Sequence, residues 1–358
     1  MTIDAPKAAK KSHTDTRHGI SRTDAYAWLR ADNWQEVFKD TSVLDPEIRA
    51  YLEAENAYQK AFMADTEALQ KTLFAEMKGR IKEDDESVPA PDGPWAYGTS
   101  FATGGQQPRY YRVERDKPGG ERQIMLDGDK EAEGKDYFKL GGYDRAPGHG
   151  RMLWAYDDKG SEYFTVKVRD LTTGEDLDDV VKDMGGGAVF TADGTGIVYT
   201  LMDDNHRPSK VFFHKIGTPQ DDDVLLYEEP DSGFFVGVGR SRLDDFIEIN
   251  SHDHQTSEVR LLDASDPMQP ARIVEPRVAE REYSVGEGGE ELLILTNADG
   301  SKDFKIVRAP VDAPHKANWT DVVPHEPGRL IISHDAYARH LVWLERRNAL
   351  PRIVIKDR

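Results

Sequence analysis

Apolar residues along most of this chain come in short runs, and the runs recur. Strand-like stretches begin at Met152, Ile197, Phe246, Leu292 and Leu341, so successive starts lie 45 to 49 residues apart. A second strand-like run follows 11 to 14 residues after each start. The pairs are residues 152–156 with 163–168, 197–201 with 211–214, 246–250 with 258–262, 292–296 with 304–307 and 341–345 with 352–356. Residues 95–99 with 109–113 make an earlier unit of the same design, with an insertion behind it. Asp158-Lys159-Gly160 and Ala298-Asp299-Gly300 stand in the connections, and turns of this Asp-Gly type favour hairpins. A period in this range marks a modular array. Six small antiparallel sheets cannot each bury their own faces, but stacking them radially buries the faces and leaves short edges, as in a β-propeller. A β-sandwich would not hold the period over five units.

Residues 1–82 carry a different pattern. Asp45-Pro46-Glu47 is a helix start, with a capping Asp, Pro at the first helical position and an acid in the first turn. Tyr51, Tyr58, Phe62, Leu69 and Leu73 follow at helical spacing on one face, the signature of packing rather than of a ligand groove. Asp65 offers a second helix start, so the stretch reads as one long helix or two shorter ones. Glu83-Asp84-Asp85-Glu86 and the proline-rich 89–94 then mark a boundary. The expected domains are an extended and helical segment, 1–82, and a β-propeller portion, 83–358.

Composition narrows the partners. Among 358 residues, 47 Lys and Arg face 66 Asp and Glu, a net charge of −19. Such a surface repels nucleic acid and anionic lipid and steers cationic ligands. With no cysteine, disulfides, thiolate catalysis and Cys-based zinc sites are excluded. No stretch approaches the ~18 apolar residues of a membrane span. The basic start, with Lys7, Lys10 and Lys11, lacks the apolar core of a secretory signal and reads as a solvated tail. This composition fits the cytosol and is compatible with a periplasm.

No motif in the chain supplies a catalytic centre, so no catalytic, cofactor-binding or metal-ligating residue and no cofactor is assigned. A Gly-x-Ser-x-Gly nucleophile elbow is absent; Gly98-Thr99-Ser100 and Gly239-Arg240-Ser241 lack the second glycine and a following helix. His252-Asp253-His254 would place two imidazoles near one metal, yet it falls in a hairpin connection and reads as a solvated loop. Gly185-Gly186-Gly187 lacks the Lys-Ser/Thr of a phosphate loop and reads as a turn. Asp221-Asp222-Asp223 lacks calcium-loop spacing and reads as a solvated acidic turn. Glu228-Glu229 and Glu290-Glu291 offer no spacing that defines paired-carboxylate catalysis.

A resemblance adds to this. Arg17-His18-Gly19, Arg22, Asp24-Ala25-Tyr26, Trp28-Leu29-Arg30 and Tyr51-Leu52-Glu53-Ala54-Glu55-Asn56 resemble the N-terminal signature of the prolyl oligopeptidase family. His214-Lys215-Ile216-Gly217-Thr218-Pro219 and Tyr227-Glu228-Glu229 fit it as well. Thr256-Ser257-Glu258-Val259-Arg260-Leu261-Leu262-Asp263 is most similar to its oligopeptidase B (protease II) branch. The resemblance runs from about Arg17 to Arg358.

It implies a seven-bladed propeller that restricts entry to short peptides, an α/β-hydrolase domain carrying the Ser, Asp and His, and cleavage after Arg or Lys. Only about six of the seven four-stranded blades are visible, and the hydrolase domain is not in the sequence. The expectation is therefore an incomplete propeller behind an N-terminal helical segment that, in the family, packs on the hydrolase domain. Its expected role is the front portion of an oligopeptidase B-like serine endopeptidase, silent alone, with short basic peptides as substrates and a separate hydrolase chain as a partner. The other readings are a free-standing propeller that binds peptides or proteins, and a metal-dependent propeller enzyme such as a lactonase. The latter needs a column of inward ligands that the repeat does not have.

Overall fold

The computed structural model describes residues 4–117 and 119–358, so Met1 to Ile3 of the basic tail lie outside the described residues. The chain divides into two compact units. The first holds residues 1–139 and 158–161, and the second residues 140–157 and 162–358.

The first unit opens on a hairpin, β1 (His13–Arg17) and β2 (Ile20–Asp24). His18 (φ 52°) and Gly19 (φ 75°) make its two-residue turn, both left-handed as a type I′ turn requires. Three helices follow: α1 (Trp34–Lys39), α2 (Pro46–Phe62) and α3 (Glu67–Lys78). Asp45 caps α2 by accepting from the Glu47 and Ile48 N–H groups. The helical stretch breaks at Met63 and passes through a 3-10 turn at Ala64–Thr66, so it forms two helices. Trp28 meets Tyr51 edge-on and carries Lys11 over its ring. Phe62, Leu69 and Leu73 remain exposed. A four-stranded antiparallel sheet completes the unit: β3 (Ala90–Asp92), β4 (Trp95–Ser100), β5 (Arg109–Glu114) and β6 (Gln123–Asp127).

The second unit is built of antiparallel sheets, with short 3-10 turns at Gln220–Asp222, Ala298–Gly300 and Lys316–Asn318. Its first sheet has seven strands in sequential order: β7 (Lys139–Arg145), β8 (Arg151–Asp157), β9 (Phe164–Asp170), β10 (Asp176–Phe190), β11 (Gly196–Met202), β12 (Pro208–Lys215) and β13 (Val224–Glu228). Two of the expected sheets are joined here because the long β10 serves both. It pairs with β9 up to Met184 and with β11 at Met184 and again from Ala188 onward, with a register break between those two residues. Gly185-Gly186-Gly187 is that break: it lies inside a strand and bends it, rather than forming a turn.

Two four-stranded sheets follow. One comprises β14 (Phe235–Arg240), β15 (Phe246–His252), β16 (Ser257–Asp263) and β17 (Arg272–Ile273). The next comprises β18 (Tyr283–Glu287), β19 (Glu291–Thr296), β20 (Lys305–Pro310) and β21 (Thr320–Val323). The last has three strands: β22 (Arg329–Ala336), β23 (His340–Arg347) and β24 (Leu350–Asp357).

The period of two along each strand sends alternate residues to successive cores. Ile197 and Tyr199 of β11 join one cluster, and Val198 joins the next with Val236, Ile247 and Ile249. Leu292 and Ile294 of β19 pack with Val259 and Leu261, whereas Leu293 and Leu295 pack with Leu341 and Trp343. The two halves of the seven-stranded sheet thus share one core, and the sheets that follow share theirs with their neighbours, the design of a β-propeller.

Candidate functional site

The strand position that borders the central channel of a propeller is the first of each sheet. In the second unit these are β7, the latter half of β10, β14, β18 and β22. Neighbouring members come very close. A Cβ on Gly186, whose φ is +87°, would lie 2.9 Å from the Val236 carbonyl oxygen, and one on Gly187 would lie 3.2 Å from that of Val238. The triple glycine thus bends β10 and lets the backbone of β14 approach it.

The loop after β14 gathers charge at one end of these strands. Arg240 donates from Nη1 to the Arg145 carbonyl (2.9 Å) and from Nη2 to Asp144 (3.2 Å), both on β7. Its Nε faces Asp244 at 2.7 Å. The other oxygen of Asp144 accepts from the Phe190 N–H at the end of β10, 2.9 Å away. Arg242 lies over the Tyr337 ring (4.0 Å) and 3.6 Å from Asp335 on β22. The Leu243 N–H donates to Glu287 of β18 at 3.1 Å. Internally the loop is held by Ser241, whose backbone N–H and hydroxyl both bond Phe246 and whose carbonyl accepts from the Asp244 N–H.

Carboxylates crowd beneath this loop. Burial, then the charge of Glu287, raises the Glu248 carboxyl to about 7. Burial raises Glu287 as well, and Asp245 adds to it against the donors Ser241 and the Leu243 N–H. His334 of β22, partly buried, is pushed down by desolvation and bonds the Leu293 carbonyl through Nε2 at 2.9 Å.

The residues singled out from the sequence do not meet in one place. Asp253 of His252-Asp253-His254 caps its hairpin turn by accepting from the Gln255 and Thr256 N–H groups. Among the described residues no group of three His, Asp or Glu is arranged to hold a metal. In the acidic run, Asp221 and Asp222 are exposed, but the Asp223 side chain is buried and accepts from Tyr199 and His214, both at 2.7 Å. The solvated reading therefore fails for Asp223. His214 is itself fully buried, with Asp179 on its other ring nitrogen at 3.2 Å. Glu228 pairs with Lys210 at the surface, while Glu229 is buried in a network. Burial would raise Glu229, but Arg277 (2.7 Å), Ser251, Tyr227 and the Asp231 N–H outweigh it and hold the carboxyl at about 2. Neither Gly98-Thr99-Ser100, at the end of β4, nor Gly239-Arg240-Ser241, at the end of β14, leads into a helix.

The loop after β14 escaped sequence reasoning because its partners Asp144, Glu287 and Asp335 lie far away along the chain. Its one local signal is the alternation of Arg240 and Arg242 ahead of Asp244-Asp245.

A family model described as prolyl oligopeptidase, N-terminal beta-propeller domain, matches residues 6–358. Dipeptidyl aminopeptidase BI of Pseudoxanthomonas mexicana is 36% identical, the match covering 96% of this chain and 48% of that protein. Protease 2 of Moraxella lacunata is 28% identical over 98% of this chain and 50% of its own length. Oligopeptidase B from Leishmania major superposes with a TM-score of 0.90 at 29% identity, over 99% of this chain and 51% of that one. The chain spans about half the length of the curated relatives it matches.

Proposed function

Since the chain belongs to the prolyl oligopeptidase family, matching its N-terminal β-propeller domain, we propose that it is the substrate-access half of an oligopeptidase B-like serine endopeptidase that hydrolyses short peptides after Arg or Lys. In this reading the propeller admits short, extended peptides and turns folded proteins away. Bond cleavage falls to a hydrolase domain carrying the nucleophile, its base and the oxyanion donors. The chain by itself is catalytically silent.

The observation that carries the reading is the extent of the match: 99% of this chain superposes on 51% of an oligopeptidase B chain. The charge supports it. A net charge of −19 favours approach of cationic peptides.

The test is a fluorogenic peptide with Arg at the cleavage site. The purified chain is expected to give no turnover, and a fusion to the hydrolase half of protease 2 is expected to cleave it. Turnover by the chain alone, surviving removal of contaminating proteases, overturns the silence. A fusion that digests folded proteins as readily as short peptides overturns the access role.

A further inference from the structure

The hydrogen bonds of the loop after β14 reach an unusual number of strands. Arg240 grips β7, and through Asp144 the grip extends to the end of β10. Leu243 is tied to β18 and Arg242 to β22. One five-residue connection, Ser241 to Asp245, together with Arg240 beside it, thus joins the ends of five first strands. Other connections at the same end reach fewer strands. The 191–195 turn is closed from within by Asp193 accepting from Thr191 and Thr195, and reaches outward through the Ala192 N–H to the Ala264 carbonyl (2.8 Å) and the Gly194 carbonyl to Arg151 (3.5 Å).

A loop that served only to reverse the chain would not need two guanidinium groups extended in opposite directions. The direction of those side chains is informative, because each reaches a strand of another sheet, Arg240 in addition to its bond with Asp244 in its own loop. Arg240 spans 96 residues of sequence to Asp144, and Arg242 reaches β22 past the sheet that lies between. The two grips also differ in strength. The Arg240 side chain is 13% exposed and makes three polar contacts, whereas Arg242 and Asp335 are 43% and 60% exposed at 3.6 Å. A solvent-screened pair of that kind holds weakly. One side of the loop is therefore anchored and the other lightly fastened, the asymmetry of a hinged strap. Leu243, 52% exposed, sits on the light side.

We propose that Ser241–Asp245 is a strap across one mouth of the space between the first strands, hinged at Arg240 and fastened at Arg242 and Leu243, and that its release opens that mouth to peptides. This rests on the substrate-access reading, and the strap would be the part of the propeller that sets which peptides pass.

The test is hydrogen exchange on the full chain, which needs no peptidase activity. In the unmodified protein the Leu243 and Asp244 amides should exchange more slowly than exposed turn amides. Arg242→Gln should speed those amides by about tenfold while β14 and β15 stay protected, the mark of local opening. Loop amides that exchange freely in the unmodified protein, or an Arg242→Gln chain that exchanges like it, overturn the strap.

A second measurement reads the mouth itself. The chain has no cysteine, and a Cβ at Gly239 meets nothing within 4 Å, so Gly239→Cys places one thiol in open space. A bulky maleimide should label it about tenfold faster when Arg242→Gln is added, because labelling follows the open population. Equal rates mean that the strap does not close the mouth. Failure here with a silent chain and an active fusion would leave the access reading standing. Failure of the fusion alone would sink the access reading and leave the strap.

Discussion

Burial on the face of β15 that meets the next sheet holds the Glu248 carboxyl at about 7, against 4.5 for a free glutamate side chain. Between those values the folded protein keeps a proton that the unfolded chain has released. Stability therefore falls as pH rises from about 4.5 to 7, and the loss is complete above that. The gap corresponds to roughly 3 kcal/mol. His334 acts at the other flank. Its folded value lies below the ordinary 6.5, so its contribution is lost as pH falls. Glu248→Gln should remove much of the decline between pH 5 and 8, measured by urea unfolding at each pH, with Glu287 leaving a residual slope. Parallel pH profiles for the two proteins would refute the assignment. None of this was legible from the sequence, because it depends on pairs such as Glu248 with Glu287 and His334 with the Leu293 carbonyl that only sheet packing brings together. The same holds for Glu229 and Arg277, and for His214 between Asp179 and Asp223.

At the scale of single elements, β24 stands out. Its residues Ile353 and Ile355 are 74% and 66% exposed. They oppose Leu344 and Val342 across the ladder, so four apolar side chains share one sheet face. On the β14 and β18 sheets, the corresponding alternate residues enter a shared core. An open strand edge beside an apolar face invites pairing with other chains. The isolated chain is expected to self-associate with rising concentration, and Ile353→Lys with Ile355→Lys should suppress this in light scattering without changing the circular dichroism. Unchanged association would place the sticky surface elsewhere, for instance on the exposed Phe62, Leu69 and Leu73 of α2 and α3. The paired runs of the six sheets could be read in advance because period-two apolar patterning survives in isolation. Leu153 lies opposite Val168 and Leu341 opposite Lys356, so both pairs fall within the paired stretches read from the sequence. What patterning could not give was the sharing of β10, since a glycine run reads as a turn until neighbouring strands are in place. Nor did it give the hairpin β1–β2, whose strands are polar and exposed on both faces.

Across the second unit, cores lie between successive groups of strands: one between the two halves of the seven-stranded sheet, the rest between neighbouring sheets. Removing one sheet therefore strips half of a cluster from its neighbour. Deleting residues 329–358 would uncover Leu293, Leu295, Ile306 and Val323 while discarding Ile331, Leu341 and Trp343. At ~1.5–3 kcal/mol for each large side chain left exposed, the loss rivals the 5–15 kcal/mol that typically stabilises a domain. An array coupled only through neighbours could instead shed its last member and keep the rest, since its stability is a sum of local terms. The strap argues against that outcome. Arg240 and Leu243 tie β7 and β18 to the loop of β14, so the ends of non-adjacent sheets are joined as well as their faces. The second unit should therefore unfold in one urea transition, and the shortened chain should show that whole transition at lower urea. The discriminating measurement is hydrogen exchange of β8 and β9, far in sequence from the deletion. Their protection should fall with that of β19 and β20 if the unit is one cooperative body, and should persist unchanged if the sheets are merely stacked.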